Sequence, residues 1–573
     1  MNGEKIHSGL LRGLAALALF LLPFSVVAAQ DTVYVSGSIQ HDGLLPTRNV
    51  SSLRSTPRAP WAKIDHLSNN YLDLSVHYLR NDSNAVRFLG LHADTRLELT
   101  QWPLLGYEAG LAGHGIGRLS LTADFAWGHL TVGDVYGQFG SGMLLNLYEN
   151  RDLGIDNSLR GAKISLFPVA GVHLTLLGGK QRRYWNCYDD HAWGWNYSRD
   201  AALGADVELM IGQWSPRMRQ AGMELTLGGS YVSRYEHNDT ILTVREGTAY
   251  MYNLPRWVGA GEVRAELQGH GWDALVEYAY KANDPTAENG YSYRPGQALL
   301  MSLSYSRKGL SVLAQVKRSD NMSFRSSRKQ TGLAGRLNLL PVFTPQNSYA
   351  LAAMYPYATQ YVGGEWAFQT EICYTWPRHT KMGGRYGTTL MLTAAHVRGL
   401  KQEGSWAVNT TAQGEYYTDI HLDLNKKITK RWSLNAMLMY QTYNMQVIEG
   451  EGPLVRTGVA VLENTLRLTD QLVLRNELQY LYSRQDQGQW VNVLLEFNLW
   501  HSLTLGGTWE YNIGGAPNER KEHYYTAEVA YTRGAHRLAV GYAKTSSGFN
   551  CSGGVCRYVP EQEGVKMNYN FTW

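Results

Sequence analysis

Apolar and polar residues alternate along this chain with a period of two, most clearly at its C-terminal end. Apolar or aromatic side chains occupy Val565, Met567, Tyr569, Phe571 and Trp573, and polar residues occupy the positions between them. Because successive side chains of a strand point to opposite sides, the pattern predicts a strand with one apolar face. An aromatic residue at the very end of the chain is typical of the last strand of an outer-membrane barrel.

The same alternation recurs along the whole chain. In residues 416–428 the even positions carry mostly apolar side chains, and the odd positions carry Asp419, His421, Asp423, Asn425 and Lys427. Similar stretches occupy 91–99, 119–125 and 262–267. The pattern predicts an all-β fold in which each strand has one face towards lipid and one towards water. A soluble sandwich also alternates, but it rarely sustains the pattern over a chain of this length.

The connections between these stretches alternate in length. Very short links lie at 533–535, 500–502, 469–470, 429–431, 307–309, 269–271 and 168–171, and longer polar loops lie between them. This arrangement predicts a single transmembrane antiparallel β-barrel of about 24 to 26 strands with short periplasmic turns and long external loops. Residues 33–40 are the expected first strand or, alternatively, a plug, and 203–211 are a further strand. An even number of strands also requires one within 319–347, which we place at 331–339.

The N-terminal residues have the features of an export signal. Lys5 and Arg12 precede an apolar stretch at 14–24, and small residues at 27–29 form a cleavage site before Gln30. The apolar stretch is shorter than the roughly 20 residues that a membrane-spanning helix needs. The sequence therefore predicts a cleaved signal peptide at 1–29, one barrel domain at 30–573, and localisation in the outer membrane of a Gram-negative cell.

Composition agrees with a barrel and limits its partners. The mean hydropathy is −0.31, as expected when lipid-facing residues alternate with polar ones. Aromatic residues make up 12% of the chain, enough for the aromatic girdles of such barrels. The net charge is only +4, so nucleic acid is not an expected partner. We expect contacts with membrane lipid and lipopolysaccharide, and recognition of Tyr569, Phe571 and Trp573 by the barrel-assembly machinery.

Charged residues on the water-facing side of the strands predict a polar lumen. The set that we expect to face it is Asp419, His421, Asp423, Lys427, Arg475 and Glu477. A barrel of this size is open unless part of the chain folds inward. Residues 137–157, rich in glycine and polar groups, are the best candidate for such a segment, and an ordinary external loop is the alternative.

One predicted outer loop concentrates aromatic and basic residues that suit a ligand. They are Arg182, Arg183, Tyr184, Trp185, Trp193 and Trp195. Aromatic rings stack on sugars and guanidinium groups bind carboxylates or phosphates, so these residues are candidate contacts for a surface glycan or lipopolysaccharide. An aromatic girdle with a basic rim explains the same residues, and we favour that interpretation over a ligand site.

The four cysteines and the short motifs add little chemistry. Cys551 and Cys556 flank two glycines in a predicted external loop, which favours a disulfide in an oxidising compartment. Cys187 and Cys373 cannot be paired from sequence. No nucleophile elbow, phosphate-binding loop or zinc-protease motif is present. We therefore predict no enzymatic activity, no cofactor and no metal.

Several longer stretches resemble a known family. They are GDVYGQFGSGM at 133–143, RDLGIDNSLRGAK at 151–163, GGKQRRYW at 178–185, KRSDNMSFRS at 317–326, YALAAMYPYATQ at 349–360 and GAHRLAVGYAKTSSGFNCSGGVCRYVP at 534–560. They resemble a family of Gram-negative outer-membrane barrels defined as a domain of unknown function, over nearly the whole mature chain. The resemblance implies localisation and architecture, and it brings no catalytic or binding residues.

Two functions of different kinds remain open. The charged lumen favours a channel or transporter for a polar solute. The aromatic and basic outer loops and the loop disulfide favour a non-transporting scaffold or surface receptor in an outer-membrane complex, with a secretion or glycan-binding role and an unidentified lipoprotein or secretion partner.

Overall fold

The protein folds into one closed β-barrel, seen in a computed structural model that describes residues 26–27, 31–47, 66–80, 88–183, 185, 200–237, 240–245, 247–408 and 414–573. One sheet contains 25 strands; without the two-residue strand Val26–Val27, which pairs with Thr32 and Val33, 24 remain. Each pairs antiparallel with its chain neighbours, and the first pairs with the last from Ser38–Thr572 to Pro46–Gly564. The fold class is as predicted.

The barrel strands are numbered here in chain order. They are β1 (Asp31–Pro46), β2 (Leu67–Arg80), β3 (Phe88–Thr100), β4 (Gly113–Phe125), β5 (Gly128–Val135), β6 (Leu159–Leu166), β7 (Val172–Gln181), β8 (Ala201–Met210), β9 (Met223–Tyr235), β10 (Trp257–Gly269), β11 (Trp272–Lys281), β12 (Gly296–Arg307), β13 (Leu310–Asp320), β14 (Glu365–Trp376), β15 (Thr388–Arg398), β16 (Glu415–Lys427), β17 (Trp432–Asn444), β18 (Leu454–Arg467), β19 (Leu472–Ser483), β20 (Gln489–Leu499), β21 (Leu503–Gly514), β22 (His523–Arg533), β23 (His536–Thr545) and β24 (Gln562–Thr572).

Smaller elements lie in the connections. Short strands occupy Gly137–Phe139, Leu145–Leu147, Glu149–Asn150, Ile155–Asp156, Leu242–Arg245, Thr248–Met251, Gly548–Ser552 and Val555–Val559. The α-helices Pro216–Gln220 and Met445–Ile448 and the 3₁₀ turns Ala109–Leu111 and Ile211–Gln213 complete the set in the described residues. No helix in these ranges is long and apolar enough to cross a membrane.

The connections separate into two rims, as predicted. All the short links predicted from the sequence lie on the periplasmic rim, and longer loops lie on the outer rim. The predicted strand at 331–339 is wrong, because those residues belong to an irregular segment inside the barrel. The prediction missed that 377–387, an eleven-residue link between β14 and β15, is itself a periplasmic connection, so no additional strand is needed.

Side chains alternate across the barrel wall in the way the sequence indicates. On β16, Ile420 and Leu422 are 45% and 39% exposed on the outer surface. Asp419 and His421, on the other face, are 0% and 4% exposed inside the barrel. The lipid-facing surface is therefore apolar, whereas the lumen holds charged groups that must be paired or hydrated.

Two segments fold into the lumen and together form a plug. Segment I (136–158) connects β5 to β6, and segment II (321–364) connects β13 to β14. Segment I is the inward-folding candidate from the sequence. The segments are joined by hydrogen bonds from Asn146 N to Leu337 O (2.7 Å) and from Leu339 N to Gly142 O (3.0 Å). The plug packs a hydrophobic core that includes Met143, Leu340 and Leu351.

The plug fills the outer half of the lumen and leaves the periplasmic half more open. Along β19, from the outer end inward, Leu481, Gln479 and Glu477 are 0%, 1% and 5% exposed, but the Arg475 side chain is 36% exposed. β16 shows the same gradient, ending at Lys427, which is exposed. The barrel thus has a solvent-accessible vestibule on its periplasmic side.

Candidate functional site

Segment I is attached to the barrel wall by a buried cluster of charges. Arg182 Nη2 lies 2.7 Å from Glu98 Oε2, and Arg182 Nη1 lies 2.6 Å from Asp156 Oδ2. Arg96 binds the same Asp156 at 3.0 Å and also pairs with Glu149. Removing one member of such a buried set leaves an uncompensated charge, which typically costs about 3–5 kcal/mol. The cluster therefore fixes segment I against β3.

The N-terminal part of segment I is held by a carboxylate on a different strand of the barrel wall, β11. Ser141 N donates to Glu277 Oε1 on β11 at 3.0 Å. Arg151 Nη2 binds Asp73 on β2 at 2.7 Å. Segment I consequently crosses the lumen between β2 and β11.

Segment II is anchored mainly by tyrosines and amides. Tyr349 donates to Glu463 at 2.7 Å, and Tyr355 donates to Asp486 at 2.9 Å. Leu351 N donates to Gln479 Oε1 at 3.0 Å. These partners lie on or next to β18 and β19, so segment II reaches the wall on the far side from segment I.

An external loop is pinned to segment II by an ion pair. Arg325 Nη2 lies 2.7 Å from Glu288 Oε1 in the loop 282–295. Burial raises the pKa of Glu288, but the hydrogen bonds of Arg325 and Ser323 and the charges of Arg325 and Arg336 together outweigh it, so the net pKa lies below the usual value. The carboxylate is therefore charged at neutral pH and holds the loop against the plug.

The predicted disulfide forms and belongs to a hairpin that covers the plug. Cys551 and Cys556 are bonded across the hairpin Gly548–Ser552 and Val555–Val559. Arg557 Nη2 donates to Asp152 O of segment I at 2.9 Å. Gly554 O accepts from Thr359 N of segment II at 3.2 Å. The disulfide hairpin thus contacts both halves of the plug.

Two cavities lie on either side of one part of segment II. An inner chamber of 560 Å³ is lined by segment II and by residues near the middle of β13 to β17. An outer cavity of 200 Å³ is lined by segment II, Tyr417 and the disulfide hairpin. Val342 and Thr344 to Asn347 line both. We call residues 342–347 the septum, because they separate the two spaces.

The septum is held by few backbone contacts. Within the described residues, 342–347 make no backbone–backbone hydrogen bond. Segments that lack such bonds open at lower free energy than strands of the barrel. The side chain of Asn347, close to Asp419 and to Ala352 O at 3.5 Å, is one of the polar groups that hold the septum in place.

The inner chamber is polar and acidic. Glu371, Thr393 and His421 lie side by side on β14, β15 and β16, as the strand register shows. His421 lies 2.7 Å from Asp419 and 3.3 Å from Asp423. Asp423 and the amide side chains of Gln315 and Gln369 also line the chamber. Within the described residues no group of His, Cys, Asp and Glu is arranged to hold a metal ion.

The candidate lumen residues group together in two places. His421 and Asp423 line the chamber, Asp419 is buried behind them and contacts His421, and Lys427 lies beyond the chamber at the periplasmic end of β16. Arg475 and Glu477 lie on β19, where Arg475 also binds Glu463 at 3.1 Å.

The candidate outer-loop contacts do not form one surface in the described residues. Trp185 is buried at 7% exposure, the Arg182 side chain is 8% exposed, and the Arg182 guanidinium carbon lies 5.6 Å from the centroid of the Trp185 ring. Arg183 lies 3.7 Å from Asp200. Tyr184, Trp193, Trp195 and Cys187 lie outside the described residues. A ligand role for this set remains a prediction.

The other singled-out residues occupy strands. Tyr569 and Phe571 lie on β24, and Phe571 stacks on the C-terminal Trp573 with ring centroids 5.2 Å apart. Their role in assembly remains a prediction. Cys373 is a free thiol on β14.

Sequence reasoning missed segment II and therefore the chamber residues Glu371 and Thr393. The available signal is the stretch 349–360, where small apolar residues and tyrosines follow no two-residue period. Such a stretch does not suit a lipid-facing strand, and it packs into the lumen core instead.

Solved structures similar to this chain include a receptor and two transporters, all at low sequence identity. A siderophore receptor, PirA from Pseudomonas aeruginosa, is 10% identical, with 94% of this chain and 80% of that chain covered and a TM-score of 0.39. The outer-membrane transporter YddB from Escherichia coli is 10% identical over 94% and 80%, with a TM-score of 0.38. The copper transporter OprC is 10% identical over 96% and 84%, with a TM-score of 0.39. No curated protein matches significantly.

A family match covers almost the whole chain, from residue 11 to residue 573. This span includes every strand of the barrel, both plug segments and the disulfide hairpin. The chain therefore belongs to the family described as "Family of unknown function (DUF6029)".

Proposed function

We propose that the protein is a gated outer-membrane transporter for a polar solute, closed at rest on its outer side. The observation that carries the proposal is the septum, a short segment between a chamber next to the periplasmic vestibule and a cavity beneath the external hairpin. Movement of this segment alone would join the two spaces. An open diffusion pore is not compatible with a plug that crosses the lumen.

The energetics of the plug favour a local gate over release of the whole plug. Both segments continue covalently into barrel strands at each end, and their core is fully buried. Expelling them would expose that core and break the buried ion pairs, whereas the septum has no backbone ladder to break. The solute therefore passes at the septum in this proposal, and no catalysed reaction is part of it.

The route to the membrane is part of the same proposal. Residues 1–29 direct export and are removed, and the aromatic C-terminal strand is recognised during barrel assembly. These roles follow from the sequence patterns at the two ends of the chain.

A second candidate function is a non-transporting receptor or scaffold. It is favoured by the continuous packing of the plug, in which Met143, Leu351 and Tyr355 share one buried core. A barrel whose interior is permanently filled would present its outer loops and hairpin to a partner. Recovery of the native protein from outer membranes in a stable complex, with no solute uptake by the purified barrel, would favour this candidate.

Planar-bilayer recording tests the gate. The wild-type barrel is expected to show no sustained current, and replacing residues 344–347 by glycine and serine is expected to produce a steady conductance. A matched control replaces Thr248–Met251, four exposed residues of an external hairpin, and is expected to stay closed. Sustained current through the wild type contradicts a closed resting state, and a silent septum variant contradicts the septum as the gate.

A further inference from the structure

We propose that the inner chamber is the solute-binding site and that it selects small, hydroxylated organic cations of about the size of an amino sugar. This inference rests on the proposed transport function only for its biological role, since binding can be measured on a closed barrel.

The chamber is negatively charged. The chamber is lined by the carboxyl groups of Glu371 and Asp423, and none of its lining residues is Lys or Arg. The Glu371 carboxylate makes no hydrogen bond or ion pair with another described residue, whereas the acidic groups on segment I and β18 are paired with arginines. An unpaired, half-buried carboxylate facing a cavity attracts a cation and repels an anion.

The histidine in the chamber does not reverse this sign. His421 lies between Asp419 and Asp423, at 2.7 and 3.3 Å. Even when the imidazole is protonated, one positive charge faces three carboxyl groups, those of Asp419, Asp423 and Glu371. The chamber therefore remains acidic in either state of His421.

A buried hydroxyl without a partner supplies an independent argument for a ligand. Thr393 is 1% exposed, and its Oγ1 has no hydrogen-bond partner among the described residues. It faces the lumen between Glu371 and His421 and lines the chamber. A buried polar group left unpaired is costly, and a ligand hydroxyl entering beside it would satisfy it.

The remaining wall suits a hydroxylated molecule. Gln369 and Gln346 offer amide donors and acceptors, and the ring of Tyr349 is fixed by the bond from its hydroxyl to Glu463. Amides and carboxylates bind sugar hydroxyls, and a fixed aromatic ring can stack on a sugar face. The volume of 560 Å³ accommodates a small sugar with several waters.

The free thiol of Cys373 provides a probe next to this space, beside the lining residue Met391. Cys373 is two residues from Glu371 on the same face of β14, and it is paired in register with Ser311 and Met391. In a Cys187→Ser background it can be modified with thiol reagents of equal size and opposite charge. The full-length barrel in detergent micelles is suitable, because the chamber needs no opening of the septum.

The experiment measures modification of Cys373 by cationic and anionic methanethiosulfonates. The cationic reagent is expected to react about tenfold faster or more, and the preference is expected to fall in Glu371→Gln and in Asp423→Asn. Glu266→Gln, which removes a carboxylate on β10 outside the chamber, is the matched control and is expected to keep the preference. Equal rates for the two reagents, or an unchanged ratio in both chamber variants, would overturn the acidic site.

Ligand protection then tests the solute class with three sugars of similar shape. Glucosamine is expected to slow modification of Cys373 at concentrations about tenfold lower than N-acetylglucosamine, with glucuronate weakest, since a hydrogen bond to a charged group is strong. Thr393→Val is expected to weaken protection by glucosamine about threefold without changing the reagent ratio. Equal protection by the cationic and neutral sugars, or none by glucosamine, contradicts the proposed class.

The two proposals fail in distinguishable ways. Protection by glucosamine combined with a silent septum variant in bilayers leaves the binding site standing and rejects gated transport. Conductance through the septum variant without cation preference or protection leaves the gate standing and rejects the chamber as the selective site.

Discussion

At the scale of single residues, Gly140 shows how tightly the plug fits the wall. Its φ is +49°, and a Cβ there would lie 2.1 Å from Glu277 Oε1 and 2.6 Å from Glu262 Oε1. Only glycine satisfies both the left-handed backbone and the close approach of two carboxyl groups. The position therefore allows Ser141 N to reach Glu277.

We expect Gly140→Ala to loosen segment I. The left-handed conformation costs about 1 kcal/mol for alanine, and the displaced carboxyl groups add about 1–3 kcal/mol through overpacking. Gly534→Ala is the matched control, because its φ is +58° and nothing lies within 4 Å of the added Cβ. Urea unfolding of both variants in detergent, followed by tryptophan fluorescence, measures the difference. Equal midpoints for the two variants would show that the contact with Glu277 is not a constraint.

The same scale shows what a two-residue period can predict. It fixes which face of β16 carries Asp419, His421 and Asp423, because the face depends only on the parity of the position. The period does not show how deeply a lumen-facing side chain is buried, so the contrast between buried Asp419 and exposed Lys427 could not be predicted. Depth is set by the plug, which is remote in sequence.

At the scale of elements, the disulfide hairpin connects parts of the chain that are far apart. Arg557 reaches Leu105 O at 3.0 Å and Asp152 O at 2.9 Å, while Gly554 O binds segment II. The hairpin therefore acts as a clamp across the outer surface of the plug. Its rigidity depends on the bond between Cys551 and Cys556.

We expect the clamp to loosen when this disulfide is removed. Closing so short a loop stabilises the hairpin by about 2 kcal/mol in the chain-entropy account, so Cys551→Ser with Cys556→Ser should allow the hairpin to detach while the barrel stays folded. Protease cleavage within 548–559 of intact proteoliposomes is the measurement, with wild-type protein under oxidising and reducing conditions for comparison. Identical cleavage of all samples would mean that contacts such as those of Arg557 hold the hairpin without the disulfide.

The elements also differ in how far the sequence predicts them. Segment I was predicted to fold inward from its glycine and polar content, and the structure confirms that path. The inward path of segment II could not be predicted, because its conformation is determined by contacts with β13, β17, β18 and β19 and not by a local period. The link at 377–387 was missed for a different reason, since an eleven-residue periplasmic connection does not resemble a tight turn.

At the scale of the whole molecule, the barrel and its plug are separable structures. Leu159 pairs with Val135, and Ser319 pairs with Glu365, so the strands on either side of each plug segment are already adjacent at the outer rim. Every ladder of the 24-strand barrel is therefore complete without the plug. Removing a segment should leave the wall intact, because barrel strands satisfy their backbone groups with each other.

We expect replacement of residues 322–363 by a short Gly-Ser turn to give a folded barrel with a wide pore. The ends to be joined lie beside each other, and hairpin loops of about two to five residues suffice for such strands. Lys317 and Glu365, which form a buried pair at 2.7 Å in the native protein, would then face water in the lumen, where charges are tolerated.

Heat-modifiable migration on gels and bilayer conductance are the two measurements. The variant should keep the migration shift of a folded barrel. It should also conduct more than the septum variant, because it removes nearly all of segment II and not only the septum. Replacement of residues 240–251, an external hairpin away from the lumen contacts described above, is the control and should change neither property. Loss of the folded barrel would mean that segment II is needed to form or hold the wall, and the plug would then be a structural core of the molecule instead of a gate set into a finished barrel.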